Sequence, residues 1–97
     1  MVIVSAKITT TPGKRDAFIK AAQPCIAATR KEDGCLLYEL YASTEHPDKV
    51  MYFERWASRE ALDKHLQAPH MAEFGKIKEE QKLQVGDMEL GIYTATE

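Results

Sequence analysis

Two histidines, a glutamate and the single tryptophan fall between positions 54 and 70 of this 97-residue chain, as Glu54, Trp56, His65 and His70. Imidazoles titrate near neutral pH, so this grouping can take up and release protons. Glu54 sits in the alternating run Val50, Tyr52, Glu54, Trp56, and a carboxylate among apolar neighbours needs a partner. His65 or His70 could supply it, and a carboxylate–imidazole pair fixes the ring tautomer and raises its basicity. The competing reading pairs Glu54 with Arg55 or a lysine at a strand edge. Trp56 and Tyr38 offer flat faces to a planar aromatic ligand, although such rings serve as core at least as often. Tyr52, on the strand face of Glu54, and Met71 and Phe74 are further candidates for a pocket wall.

His65 lies between Leu62 and Leu66 on the inward stripe of a helix, a place where a histidine can simply pack. His70 follows Pro69. On an unbroken helix five positions turn a side chain well off the first one's face, and the Glu of a zinc-protease motif is missing, so no metal site is expected. No glycine-rich phosphate loop is present, so no nucleotide cofactor is expected either.

The elements that must position these residues read as follows. Val2–Thr10 is rich in β-branched residues and predicts a strand. Thr11-Pro12-Gly13 leads into a helix, with Thr11 as N-cap and Pro12 at the first helical position. Phe18, Ala22, Cys25, Ile26 and Thr29 form its apolar stripe, and Pro24 should kink or divide it. Asp33-Gly34 ends it. Cys35–Ser43 and Val50–Ala57 predict strands joined by a turn at His46-Pro47-Asp48-Lys49. Ser58 caps the helix carrying His65. Pro69 interrupts, Met71, Phe74 and Ile77 continue a helical stretch to about Gln81, and Met88–Thr96 is a last strand after Gly86-Asp87.

The order strand, helix, strand, strand, helix, strand is the split βαβ arrangement: an α+β, ferredoxin-like (βαββαβ) antiparallel sheet with helices on one face. The second and third strands carry apolar residues on both faces, whereas a solvated second face would alternate cleanly. A second sheet packed there, in a homodimer, is the expectation.

Length predicts one domain over residues 1–97. Thirteen Lys and Arg against fifteen Asp and Glu give a net charge of -2, with no basic block of the kind that tracks nucleic acid. Lys76, Lys78 and Lys82, interleaved with Glu79 and Glu80, read as a solvated helix face. No apolar stretch approaches the roughly 20 residues of a membrane span, and the first residues do not read as a signal peptide. Cys25 and Cys35 read as free thiols, which fits a reducing, cytoplasmic setting.

At Phe53-Glu54-Arg55-Trp56, at His65-Leu66-Gln67-Ala68-Pro69-His70-Met71, and at the turn Glu32-Asp33-Gly34-Cys35 followed by Tyr38, the chain closely resembles the antibiotic biosynthesis monooxygenase family, nearest its quinol monooxygenase branch. The resemblance covers essentially the whole chain. It implies a ferredoxin-like protomer that dimerises through its sheets into a dimeric α+β barrel. It also implies oxidation of a small electron-rich aromatic, quinol-type substrate by O2 without metal, haem or flavin. His65, His70 and Glu54 would then handle protons, and Trp56 and Tyr38 would wall the ring. The sequence contains no Asn, the residue that anthrone-oxidising and haem-degrading relatives use together with a Trp. That leaves the quinol branch or a non-oxidative one. An isomerase of a phosphorylated sugar of the autoinducer-2 type, with similar histidine spacing, and a non-catalytic ligand-binding protein are the alternatives.

Overall fold

The computed structural model, which describes residues 1–96, contains four strands and three helices. Strand β1 (Val2–Thr10) leads to helix α1 (Arg15–Thr29), strands β2 (Cys35–Ala42) and β3 (Lys49–Trp56), helices α2 (Arg59–Leu66) and α3 (Pro69–Glu80), and strand β4 (Gln84–Thr94). The strands form an antiparallel sheet in the order β2-β3-β1-β4. This is the ferredoxin-like topology that the element order predicts, with helices over one face.

The strand register builds that covered face. Val2, Val4, Ala6 and Ile8 stand opposite Trp56, Glu54, Tyr52 and Val50, and all eight side chains are buried. Phe18, Ala22, Cys25 and Ile26 of α1 close over them, with Leu62 of α2 and Phe74 of α3. Period-two alternation in the strands and the helical stripe in α1 thus meet in one core.

The expected barrel is not what the chain forms. The sheet is open, with β2 and β4 as its two edges and β3 and β1 between them. A sheet that closes around a side-chain-filled interior takes roughly eight strands, twice the number here. On the face away from the helices, Ile3, Ser5, Met51 and Phe53 are half-buried, and Lys7, Thr9 and Arg55 are exposed.

Three local expectations also change. Helix α1 starts at Arg15, after Lys14, which makes no side-chain cap, so Thr11 and Pro12 lie in the preceding turn, where Gly13 takes φ +80°. Pro24 does not divide α1. Its missing N–H leaves the Lys20 carbonyl without a helical donor, but Lys20 and Pro24 are both exposed, on the water side of the helix. Strand β4 begins at Gln84 rather than Met88. Gly86, with φ +67°, lies within the strand, in a bulge opposite Lys7–Thr9, rather than before it.

The helices that hold the histidines separate for a clear reason. The Ser58 Oγ accepts from the Ala61 N–H at 3.1 Å and starts α2. Pro69 opens α3, and its ring holds Ala68 in an extended conformation, ψ 143°, which breaks the helical path after Leu66. His65 therefore ends one helix and His70 begins the next.

The turn before β2 is fixed by Gly34. It adopts φ +84°, its carbonyl accepts from the Ala57 N–H at 2.8 Å, and a Cβ there would meet the Ala61 Cβ at 2.6 Å. Gly34→Ala is expected to lower stability by more than about 1 kcal/mol, from backbone strain and overlap together. Urea unfolding of both proteins measures this, and an unchanged midpoint would contradict it.

Candidate active site

Glu32, in the turn between α1 and β2, gathers the two histidines. Its Oε2 lies 2.8 Å from His65 Nδ1 and 2.8 Å from His70 Nε2. A carboxylate can only accept, so both nitrogens are assigned as N–H donors. With Nδ1 so engaged, His65 carries its lone pair on Nε2. The His65 side chain is 2% exposed, Glu32 17% and His70 22%, so the trio runs from the core to the surface. Burial lowers the His65 pKa below the usual imidazole value, and the bond to Glu32 opposes this in part. The ring therefore rests neutral at neutral pH, ready to accept a proton.

Glu54 takes neither histidine. Its Oε1 accepts from Trp56 Nε1 at 2.9 Å, two residues along the same strand face, and neither Arg55 nor a lysine is its partner. Burial pushes its pKa up to about 7; the indole N–H opposes the rise and the nearby Glu32 adds to it. Glu54 is thus poised between acid and base near neutrality.

Aromatic rings enclose His65. The Trp56 ring lies 4.6 Å from it, centroid to centroid, and Tyr38 meets it edge-on at 5.4 Å. Tyr52 packs on Tyr38 at 5.3 Å. Burial raises both phenol pKa values, so these hydroxyls stay protonated. Next to this group, between the sheet and α2 and α3, lies a cavity of about 120 Å³. Tyr38, Tyr52, Glu54, His65, Met71 and Phe74 contribute to its wall, with Met88, Leu90 and Ile92 of β4. Trp56, fully buried, stands behind His65 rather than on the cavity surface. His70 does not line the cavity either; it is linked to His65 through their shared partner Glu32.

A larger depression of about 460 Å³ lies near the β2–β3 turn, lined by Lys7, Tyr41, His46, Lys49 and Glu89 among others. It holds none of the trio. The small cavity is the candidate site because the buried His65 lines it.

Two residues of the site differ from their sequence reading. Glu32 lies in a turn, where hydropathy patterning gives no sign of burial; its place in the Glu-Asp-Gly-Cys turn was the available signal. Lys78, read as part of a solvated face, lines the cavity. The spacing Met71, Phe74, Lys78 repeats at helical period and puts all three on one side of α3.

Glu32, His65 and His70 also form a group able to hold a metal ion, their ligand atoms all within 4.8 Å of one another. The helix break creates this convergence, which His-x4-His spacing on one continuous helix would not. Ligand arms of about 2.0–2.1 Å hold donor atoms roughly 3.3 Å apart, so an ion would require the 2.8 Å contacts to widen. The hydrogen bonds account for the present geometry.

The family model of the antibiotic biosynthesis monooxygenases matches residues 1–76. The chain belongs to this family. It is 37% identical over 87 residues to a Mycobacterium tuberculosis protein provisionally named a monooxygenase, covering 90% of this chain and 78% of that one. The solved structure of that protein aligns with a TM-score of 0.85 over 99% of this chain and 95% of the other. An uncharacterised Synechocystis protein is 32% identical over 99% of this chain, which spans 64% of that relative's length. An Escherichia coli protein, provisionally named a quinol monooxygenase, is 30% identical, with 78% of this chain and 83% of that one covered. Family membership supports an oxidoreductase-like function.

Glu54 gives a test of this electrostatic arrangement. Its pKa is about 7 folded against 4.5 ordinarily, so the folded state binds more protons between those values. Stability is lost as pH rises through that window. Glu54→Gln keeps an acceptor for Trp56 and removes the charge. It is expected to stabilise the protein at pH 8 relative to its effect at pH 5 by on the order of 2 kcal/mol, read from urea unfolding at both pH values. Equal effects at both pH values would contradict the raised pKa.

Proposed function

We propose that the protein oxidises a small, electron-rich hydroxyaromatic of the quinol class with O2, the substrate itself supplying the electrons. The observation that carries this reading is a buried His65 whose Nδ1–H is held by Glu32, beside a small cavity walled by aromatic and aliphatic side chains. At about 120 Å³ the cavity is well below the roughly 300–1,000 Å³ typical of sites for drug-sized ligands, which suits a single small ring.

In this reading His65 Nε2 accepts the proton of a substrate hydroxyl, and Glu32 stabilises the imidazolium that forms. The resulting anion is electron-rich enough to pass an electron to O2, and the two radicals combine at a ring carbon. One oxygen atom stays on the ring and the other leaves as water, so a quinol and O2 give a hydroxyquinone and water. Glu54, near its midpoint at neutral pH, can take up or return the second proton. Apolar walls keep bulk water from the reactive anion. The provisional name of the Escherichia coli relative agrees with this substrate class. A phosphorylated-sugar isomerase would need several donors around the phosphate and the hydroxyls. The wall offers mainly apolar side chains, with Lys78 its one basic group besides His65.

The wild-type protein is expected to consume O2 with a small hydroquinone in the absence of added cofactor. His65→Ala should lower kcat/KM by about 10²–10⁴, the usual contribution of a positioned general base. An oxygen electrode with a panel of quinols measures both. No uptake above the uncatalysed rate across the panel would overturn the proposal.

A further inference from the structure

Lys78 places a cation in the wall of an otherwise largely apolar cavity. It lies in the last turn of α3, one helical face with Met71 and Phe74, and its Nζ sits 5.1 Å from the centre of the Phe74 ring. Its side-chain hydrogen-bond partner is a neutral one, Gln84 Oε1 at 3.2 Å. Among the described residues, no carboxylate lies within ion-pair distance of it. The neighbouring Glu79 and Glu80 are exposed on other sides of the helix.

A helix C-terminus favours a cation, but that preference is met equally well by a side chain in water. Lys76 and Lys82, nearby in sequence, are exposed, whereas Lys78 is half-buried and turned onto the cavity. A desolvated ammonium with one neutral acceptor is costly, and a negative charge within reach relieves that cost. Burial lowers its pKa, consistent with a missing counter-charge.

We infer that Lys78 is a specificity-determining residue: the cavity takes a hydroxyaromatic acid, with a carboxylate on Lys78 and a hydroxyl toward His65. This rests on the quinol-type reading of the same cavity and narrows its substrate class. The ammonium supplies two donors beyond its bond to Gln84, enough for one carboxylate. The ring between lies against Phe74 and Met71, and the hydroxyl meets the base. A neutral quinol of the same size leaves the ammonium unpaired.

The test is anaerobic binding, so that turnover does not enter. Isothermal titration compares gentisate, a dihydroxybenzoate, with its neutral amide of nearly the same shape. Wild type is expected to bind gentisate at least about tenfold more tightly, the scale of a charge-assisted hydrogen bond. Lys78→Met should abolish that preference, and Lys78→Arg should retain part of it. The wild-type comparison alone decides if Lys78→Met does not fold. Equal affinities in wild type, a preference that survives in Lys78→Met, or no binding of either ligand overturns the inference. Oxygen uptake with neutral quinols alongside equal affinities would sink the role of Lys78 and leave the oxidation reading standing. A Lys78-dependent preference without oxygen uptake would do the reverse.

Discussion

One carboxylate oxygen, Oε2 of Glu32, accepts hydrogen bonds from two imidazoles at 2.8 Å each, and the arrangement of the site depends on it. The three side chains come from the turn after α1, the end of α2 and the start of α3. A buried His65 without a partner would leave a polar nitrogen unsatisfied in the core, at a cost of about 1–3 kcal/mol. A carboxylate facing a single neutral ring would gain less. The bridging geometry answers both demands, and it exists because Pro69 ends one helical path and starts another. The Gly34 turn, tied to Ala57 next to the start of α2, holds the acceptor at the height of the donors.

The chemistry follows from what that bond leaves free. With Nδ1 occupied, the basic nitrogen of His65 is Nε2, on a ring packed between Trp56 and Tyr38 beside an apolar cavity. Burial tends to make the imidazole a weak base, and the carboxylate restores part of its basicity. Glu54 is held apart from this pair by the Trp56 indole and responds to burial in the opposite sense, with its pKa raised. Burial leaves His65 a neutral base and brings Glu54 close to its midpoint at neutral pH, so the two suit complementary acid–base roles. Lys78 adds a fixed positive charge to the same cavity.

Much of this fold was legible in the sequence because periodicity reports burial. The alternation grouped Val2, Val4, Ala6 and Ile8, and likewise Val50, Tyr52, Glu54 and Trp56, on the faces that the helices cover, and the stripe from Phe18 to Thr29 named the inner face of α1. His65 on the inward stripe of α2 was legible for the same reason. Glu32 was not, since turns carry no period. The expected Glu54–histidine pairing failed because a nearer donor, the Trp56 N–H, lies two residues along the same strand face. Lys78 was misread because a charge pattern dominated its neighbourhood, while its spacing from Met71 and Phe74 pointed inward. Apolar residues on the second face suggested a second sheet packed there, and the family resemblance a barrel, but the chain forms an open sheet on which those side chains reach only partial burial.

The central claim is that Glu32 fixes His65 as the Nδ1–H tautomer with its lone pair on Nε2. Nitrogen-15 NMR of the histidine-labelled protein at pH 7.5 reads this directly from the ring nitrogen shifts and their couplings to the ring protons. A protonated Nδ1 and an unprotonated Nε2 are expected for His65, with the tautomer losing its fixed character in Glu32→Ala. A His65 protonated on Nε2 in the wild type, or a tautomer unchanged by removing Glu32, would contradict it.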